Sequence, residues 1–210
     1  MNDAFNKLCE LFRKFPGIGP RQAKRFAFFL LTAEKSYCAE LSQRIEEMRR
    51  EMARCSRCFR FFERRGASRE CGICADPERE NGMLMVVATD TDLAAIEKSG
   101  VFTGRYFVLG GTISLVSAPT SGMIRTKELL TLVSGEHKKK VLTEVILALS
   151  ANTEGEYTAD ELRRSLTPLF IGTSIKISTL GRGLSTGSEL EYADKETIKS
   201  ALKNRAAANA

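Results

Sequence analysis

Two kinds of hydrophobic pattern divide this chain. Over the first fifty positions apolar residues recur three and four apart, the period of an amphipathic helix. Residues 3–14 place Phe5, Leu8, Leu11 and Phe12 on one helical face, residues 20–31 place Ala23, Phe26, Ala27 and Leu30 on another, and residues 38–53 repeat Leu41, Ile45, Met48 and Met52. The segment FPGIGP (15–20) interrupts the first helix, and Pro20 is suited to open the second because its missing N–H falls where a helix has no internal acceptor. From Met83 onward the pattern becomes short continuous apolar runs, MLMVVA (83–88), YFVLG (106–110) and EVILALS (144–150), the signature of strands buried on both faces. Helical patterns near 91–98, 125–133 and 158–166 lie between and after them, so a compact α/β unit with a parallel sheet is expected. A further strand, SIKIST (174–179), a Gly-rich stretch and a last helix from about Asp194 complete the chain, with a frayed end at NRAAANA.

Between the two patterns stand Cys55-x2-Cys58 and Cys71-x2-Cys74. Paired Cys-x2-Cys units suit one tetrahedral ion, each pair forming a knuckle that supplies two thiolates. Four protein ligands leave no position for water, so the expected zinc is structural. The bland alternative is four free buried cysteines. Cys9 and Cys38 have no such spacing and are expected in helical packing. His137, the only histidine, sits beside Lys138–Lys140 in a predicted loop and has no catalytic partner in the sequence.

Charge sharpens the picture. Of the net +6, residues 1–80 carry 17 Lys and Arg against 12 Asp and Glu, whereas residues 81–210 carry 15 against 14. A basic first third indicates an acidic partner, nucleic acid foremost, against the alternative of a solvated basic surface. The FPGIGPRQAKRFAF segment has the form of a helix-hairpin-helix turn: Gly17 and Gly19 permit a tight turn with outward N–H groups, and Arg21, Lys24 and Arg25 follow it. Such a turn attracts phosphate without reading bases; a plain helical hairpin is the alternative. Asp90 and Asp92 follow the first strand, and Glu154 and Glu156 follow EVILALS. Carboxylates at neighbouring strand ends can hold Mg²⁺ for phosphoryl transfer; the other reading makes Asp90 a helix cap and the glutamates solvent-facing or partner-contacting. The stretch GRGLSTGS lacks the Lys-Ser/Thr of a phosphate-binding P-loop. No apolar run reaches the ~18 residues of a membrane span, and residues 1–20 have charges where a signal peptide has its apolar core, so a cytoplasmic location is expected.

These pieces, in this order, resemble the RecR family of bacterial recombination mediators. The likeness runs from about Leu8 to Ala201 and is most specific at FPGIGPRQAKRFAFFLL, CGICADPERENG, AIEKSGVFTGRYFVLGG, TEVILALSANTEGEYTA and ISTLGRGLSTGSELEYAD. It implies an α+β multidomain fold: a helix-hairpin-helix region (1–53), a four-cysteine zinc finger (54–79), a Toprim-type α/β domain with a parallel sheet (80–172) and a carboxyl-terminal strand-helix segment for oligomerisation (173–210). It implies a non-enzymatic protein that binds DNA through Arg21 and Arg25, forms dimers or ring-shaped tetramers, and acts with RecO, and RecF, to load RecA onto gapped or single-stranded DNA coated by single-strand-binding protein. In this resemblance the Toprim domain contacts partners, with Asp90, Asp92, Glu154 and Glu156 as the candidate partner-binding residues.

The chain departs from the family pattern at several positions. Ala88 stands where a glutamate is usual after the first strand, and Ser150-Ala151-Asn152 replaces the Asp-x-Asp of catalytic Toprim enzymes. A Mg²⁺-dependent nuclease or primase-like activity, the alternative function, would need substitutes for both. The loop SLVSAPTSGMI (114–124) lacks the usual Ser-Pro-Leu-Asp-Gly type sequence. The stretch between the cysteine pairs is about four residues longer than usual and is flanked or occupied by Arg57, Arg60, Arg64, Arg65 and Arg69, a further DNA contact or a solvated loop. A zinc-ribbon module from transcription would account for the cysteines but not for the hairpin or the 80–200 region.

Overall fold

The computed structural model describes residues 2–64, 66–79, 82–115, 124–139, 141–184, 187 and 189–205. Most of the 114–124 loop, Arg65, part of the Gly-rich stretch and the end from residue 206 lie outside them. The chain divides into two compact units, Met1–Ala53 and Arg54–Ala210.

The first unit is helical: α1 (Asp3–Phe12), α2 (Pro20–Thr32) and α3 (Lys35–Glu51). The Asn2 side chain caps α1 by accepting from the Phe5 N–H at 3.0 Å, satisfying one of the donors a helix start leaves free. Helices α1 and α2 pack through Phe5, Cys9, Ala23 and Ala27, all buried. Small side chains at 23 and 27 let the two helices approach, and the Phe5–Phe28 and Phe12–Phe26 ring pairs, 5.0 and 5.7 Å apart, flank that contact. Cys9 is a core residue as expected, but Leu11 is 56% exposed and does not share the face with Phe5. The apolar stripe of α3 forms at the predicted spacing yet has no buried residue.

The second unit begins with the cysteine element. Short strands β1 (Met52–Arg54), which spans the division between the units, and β2 (Phe61–Glu63) flank the first cysteine pair in sequence, and a one-turn helix α4 (Gly72–Ala75) carries the second. Then β3 (Met83–Val87), α5 (Asp90–Ser99), β4 (Arg105–Val108), α6 (Thr126–Lys138), β5 (Glu144–Ala148), α7 (Thr153–Leu166), β6 (Lys176–Thr179) and α8 (Lys195–Lys203) follow. The strands order β4-β3-β5-β6, with every pairing parallel. Strand β6, expected with the carboxyl-terminal segment, is thus the fourth strand of the α/β sheet.

Both sheet faces are covered, which is why the strands read as unbroken apolar runs. Leu84, Val86, Phe107, Val145 and Leu147 join Leu129, Val133, Leu162 and Leu166 of α6 and α7 in one core. The alternate residues Met85, Val87, Tyr106 and Val108 join Leu93 of α5 and the four cysteines in the other. The cysteine element is therefore part of a sheet face, not an appendage. After β4 the chain crosses to the far side of β3 to make β5, so the carboxyl ends of β3 and β5 flank the point where strand order reverses, the usual ligand crevice of such sheets.

Two elements differ from their predicted form. Helix α7 starts at Thr153, five residues before its apolar pattern. The Asn152 side chain caps it through the Gly155 N–H at 2.8 Å, and a Cβ at Gly155 would meet the Ser150 carbonyl oxygen at 2.1 Å. Only glycine fits there, and glycine hides the helix from propensity. His137 lies in the last turn of α6 rather than in a loop, with its ring 6.4 Å from that of Phe170. The basic run that suggests a loop complements the carboxyl end of the helix dipole.

Candidate metal centre and nucleic-acid interface

Cys55, Cys58, Cys71 and Cys74 are brought together with all four sulfur atoms within 4.8 Å of one another, each residue no more than 4% exposed. The Cys58 and Cys71 sulfurs are 3.6 Å apart. A disulfide needs about 2.05 Å, whereas a tetrahedral ion with bonds of ~2.3 Å sets sulfurs roughly 3.8 Å apart. All four cysteines are free, and the cluster has the size and donor set for one metal ion. The thiols constrain one another: hydrogen bonding, chiefly with Cys58, holds Cys55 well below the usual thiol range, and hydrogen bonding, chiefly with Cys55, pushes Cys58 up.

Backbone geometry prepares the first knuckle. The Cys55 N–H donates to the Arg60 carbonyl at 2.9 Å and the Phe59 N–H to the Cys55 carbonyl at 3.1 Å, which needs Phe59 at φ 62°. Sheet contacts then fix the element. The Val108 N–H donates to the Cys58 carbonyl at 2.8 Å, and the Phe59 and Phe107 rings lie 5.4 Å apart. Arg105 of β4, 8% exposed, donates to the carbonyls of Cys74 at 2.6 Å and Asp76 at 3.0 Å. Sequence reasoning did not identify this arginine. Its position at the start of an apolar strand, where a charge is costly unless paired, was the available signal.

In the helical hairpin, Gly17 has φ 75° and needs to be glycine, while Gly19, at φ −83°, does not need to be for conformation. Gly19 instead is the N-cap of α2, and no side chain caps that helix start. Open space surrounds both glycines. Arg21, Lys24 and Arg25 are exposed on the first turns; among the described residues Arg25 makes one long hydrogen bond, to Gln22 at 3.4 Å. An uncapped helix start beside exposed cations is an arrangement that accepts phosphate.

At the carboxyl ends of the strands the acidic candidates are separated by their contacts. Asp90 does not cap α5; Thr89 does, in a capping box with Asp92. Asp90 instead accepts from the Phe61 N–H at 2.7 Å, tying α5 to the cysteine element. Glu154 accepts from the Thr112 hydroxyl at 3.3 Å, and Glu156 pairs with Arg182. Ala88, the residue after β3, is buried and offers no carboxylate there.

Comparison with known proteins agrees with this architecture. Residues 5–49 match the RecR helix-hairpin-helix family, 82–181 the Toprim domain and 183–206 the RecR carboxyl-terminal family. Similar proteins named recombination protein RecR include that of Synechococcus sp. strain CC9605, 39% identical over 199 residues that cover 95% of this chain and 97% of that one. Those of Dehalococcoides mccartyi strain 195 and Syntrophobacter fumaroxidans are 40% and 37% identical over 96% and 99% of this chain, and 93% and 95% of their own lengths. With hairpin, cysteine cluster and Toprim sheet in this order and relatives similar over nearly its whole length, the chain belongs to the RecR family of recombination proteins.

Proposed function

We propose that this chain is a DNA-binding recombination mediator with no catalytic activity of its own. It binds single-stranded, duplex or gapped DNA independently of sequence and acts in the cytoplasm with RecO, and RecF, to load RecA onto DNA coated by single-strand-binding protein. The observation that carries this reading is the uncapped start of α2, held beyond the Gly17 turn and flanked by exposed Arg21, Lys24 and Arg25. Ala88 and Asn152 support the absence of catalysis: a methyl group follows β3, and the Asn152 side chain is committed to capping α7. Neither supplies the charge that a Mg²⁺ ion requires.

In this reading the four cysteines hold one structural zinc. Glu154 and Glu156 form the acidic edge that meets RecO, while Asp90 and Asp92 serve within the chain. The protein works as a homodimer or a ring-shaped homotetramer. The test is a titration of unrelated single-stranded, duplex and gapped DNAs at two salt concentrations, for wild type and the Arg21→Ala/Arg25→Ala variant. Salt-sensitive binding that is lost in a variant of unchanged oligomeric state supports the reading. Equal binding by the variant rejects the hairpin assignment, and Mg²⁺-dependent turnover of DNA by the wild type rejects the non-catalytic one.

A further inference from the structure

Two arginines, Arg54 of β1 and Arg125 just before α6, each lie over a ring of the cysteine element, Phe61 and Phe59, and Arg125 also reaches the carboxyl end of β4. The Arg54 guanidinium lies over the Phe61 ring, 4.6 Å from its centre. Arg125, half-buried, lies over the Phe59 ring at 5.6 Å and donates from Nη1 to the Val108 carbonyl at 3.0 Å, while its own N–H reaches the Leu109 carbonyl at 2.9 Å. Both cations are thus placed by aromatic faces and, for Arg125, by a strand end, and among the described residues most of their N–H donors have no partner. Among the described residues neither forms an ion pair within 4.0 Å.

The charge of Arg54 also bears on Arg125. Burial, and next the charge of Arg54, lowers the proton affinity of Arg125, outweighing the opposing influence of Glu128 and Asp90. Two like charges held near each other on a fixed support are a standing cost that an anion removes. The planar forks suit a doubly liganded phosphate oxygen pair. Phe61, 45% exposed, and the arginine stacked on it give a flat surface beside that charge, as single-strand binders use for bases.

We propose that Arg54 and Arg125 form a second phosphate contact, at the carboxyl end of the Toprim sheet, for the backbone of single-stranded DNA. This deepens the DNA-binding reading above and rests on it, but the residues are separate from the hairpin.

The test compares full-length wild type, Arg54→Gln/Arg125→Gln, Arg54→Lys/Arg125→Lys and Arg21→Ala/Arg25→Ala, each verified for metal content and thermal melting. Fluorescence anisotropy with a labelled oligothymidylate is measured across a salt series, with inorganic phosphate as competitor. The expected result is a Gln variant that binds on the order of tenfold more weakly, with its log K against log salt slope reduced by about one to two. The Lys variant recovers most of the slope but less of the affinity, because a point charge lacks the fork. Unchanged affinity and slope in a folded Gln variant overturns the site while leaving the hairpin reading intact, provided the Arg21/Arg25 variant loses binding. If that variant binds normally and the Gln variant does not, the hairpin assignment fails and the sheet-end site stands. Competition by millimolar phosphate that defeats DNA at this site alone would make free phosphate its ligand and overturn the DNA assignment. A wild type that binds no DNA overturns both.

Discussion

Gly17 and Gly19 look equivalent in the sequence and are not equivalent in the fold. Gly17, at φ 75°, holds a left-handed conformation, whereas Gly19 is extended with nothing within 4 Å of a would-be Cβ. Gly17→Ala is expected to cost about 1 kcal/mol of stability through strain, seen as a lowered urea midpoint. Gly19→Ala should fold, but its methyl group would stand beside the free N–H groups at the start of α2. Its DNA affinity should therefore fall several-fold at unchanged melting temperature; an unaltered affinity would show that phosphate does not approach that helix start. Gly155 is a third case. Its missing Cβ leaves room for the Ser150 carbonyl at 2.1 Å, and backbone cannot yield as a side chain can. Gly155→Ala should cost about 3 kcal/mol, the upper end for overpacking, measured by chemical denaturation.

At the scale of elements, the cysteine unit and the sheet hold each other. Arg105 satisfies the carbonyls at the end of α4, and Arg79 grips Glu97 of α5 at 2.5 Å while also reaching the Phe102 and Gly104 carbonyls. Hydrogen bonding and charge from Arg79 hold Glu97 below the usual carboxylate range. A lowered folded value means the unfolded chain takes up the proton first, so this contact contributes fully above the unfolded value near ~4.3 and is lost as pH falls through the folded one. Denaturation midpoints measured from pH 7 to 3 should therefore drop less steeply for Glu97→Gln than for wild type, from a lower starting point. Much of this level was legible in sequence. Strands β3, β4 and β5 announced themselves because burial on both faces leaves no polar alternation, and the cysteine spacing announced the metal cluster. What stayed hidden depended on distant partners. Nothing local to Asp90 says that its carboxylate receives the Phe61 N–H rather than capping α5, and nothing local to Arg125 says that it lies over the ring of Phe59, 66 positions away in sequence.

At the scale of the whole molecule, the two units leave different things unfinished. The metal site belongs to the second unit, where four thiols occupy the same core as Met85, Val87 and Val108. Metal removal should thus loosen the sheet as well as the knuckles. Chelation at neutral pH, or acid, which returns protons to the thiolates, is expected to lower the melting temperature by several degrees and to expose amides of β3 and β4 to hydrogen exchange; protection confined to residues 55–75 being lost would contradict a shared core. The first unit lacks a cover instead. Leu41, Ile45 and Met48 of α3 are 37%, 49% and 58% exposed, at a spacing that forms one stripe. Such a patch on a free surface favours association, and a second copy of the chain is the partner that the proposed ring supplies. Burying three such side chains is worth on the order of 3 kcal/mol beyond their present state, enough to shift assembly by more than a hundredfold. Ile45→Glu should accordingly lower the assembly state seen by light scattering while leaving the metal content and the melting of the second unit unchanged. Retention of the wild-type mass in that variant would place the self-association surface elsewhere, with the exposed Leu190, Tyr192 and Leu202 of the carboxyl-terminal segment next in line.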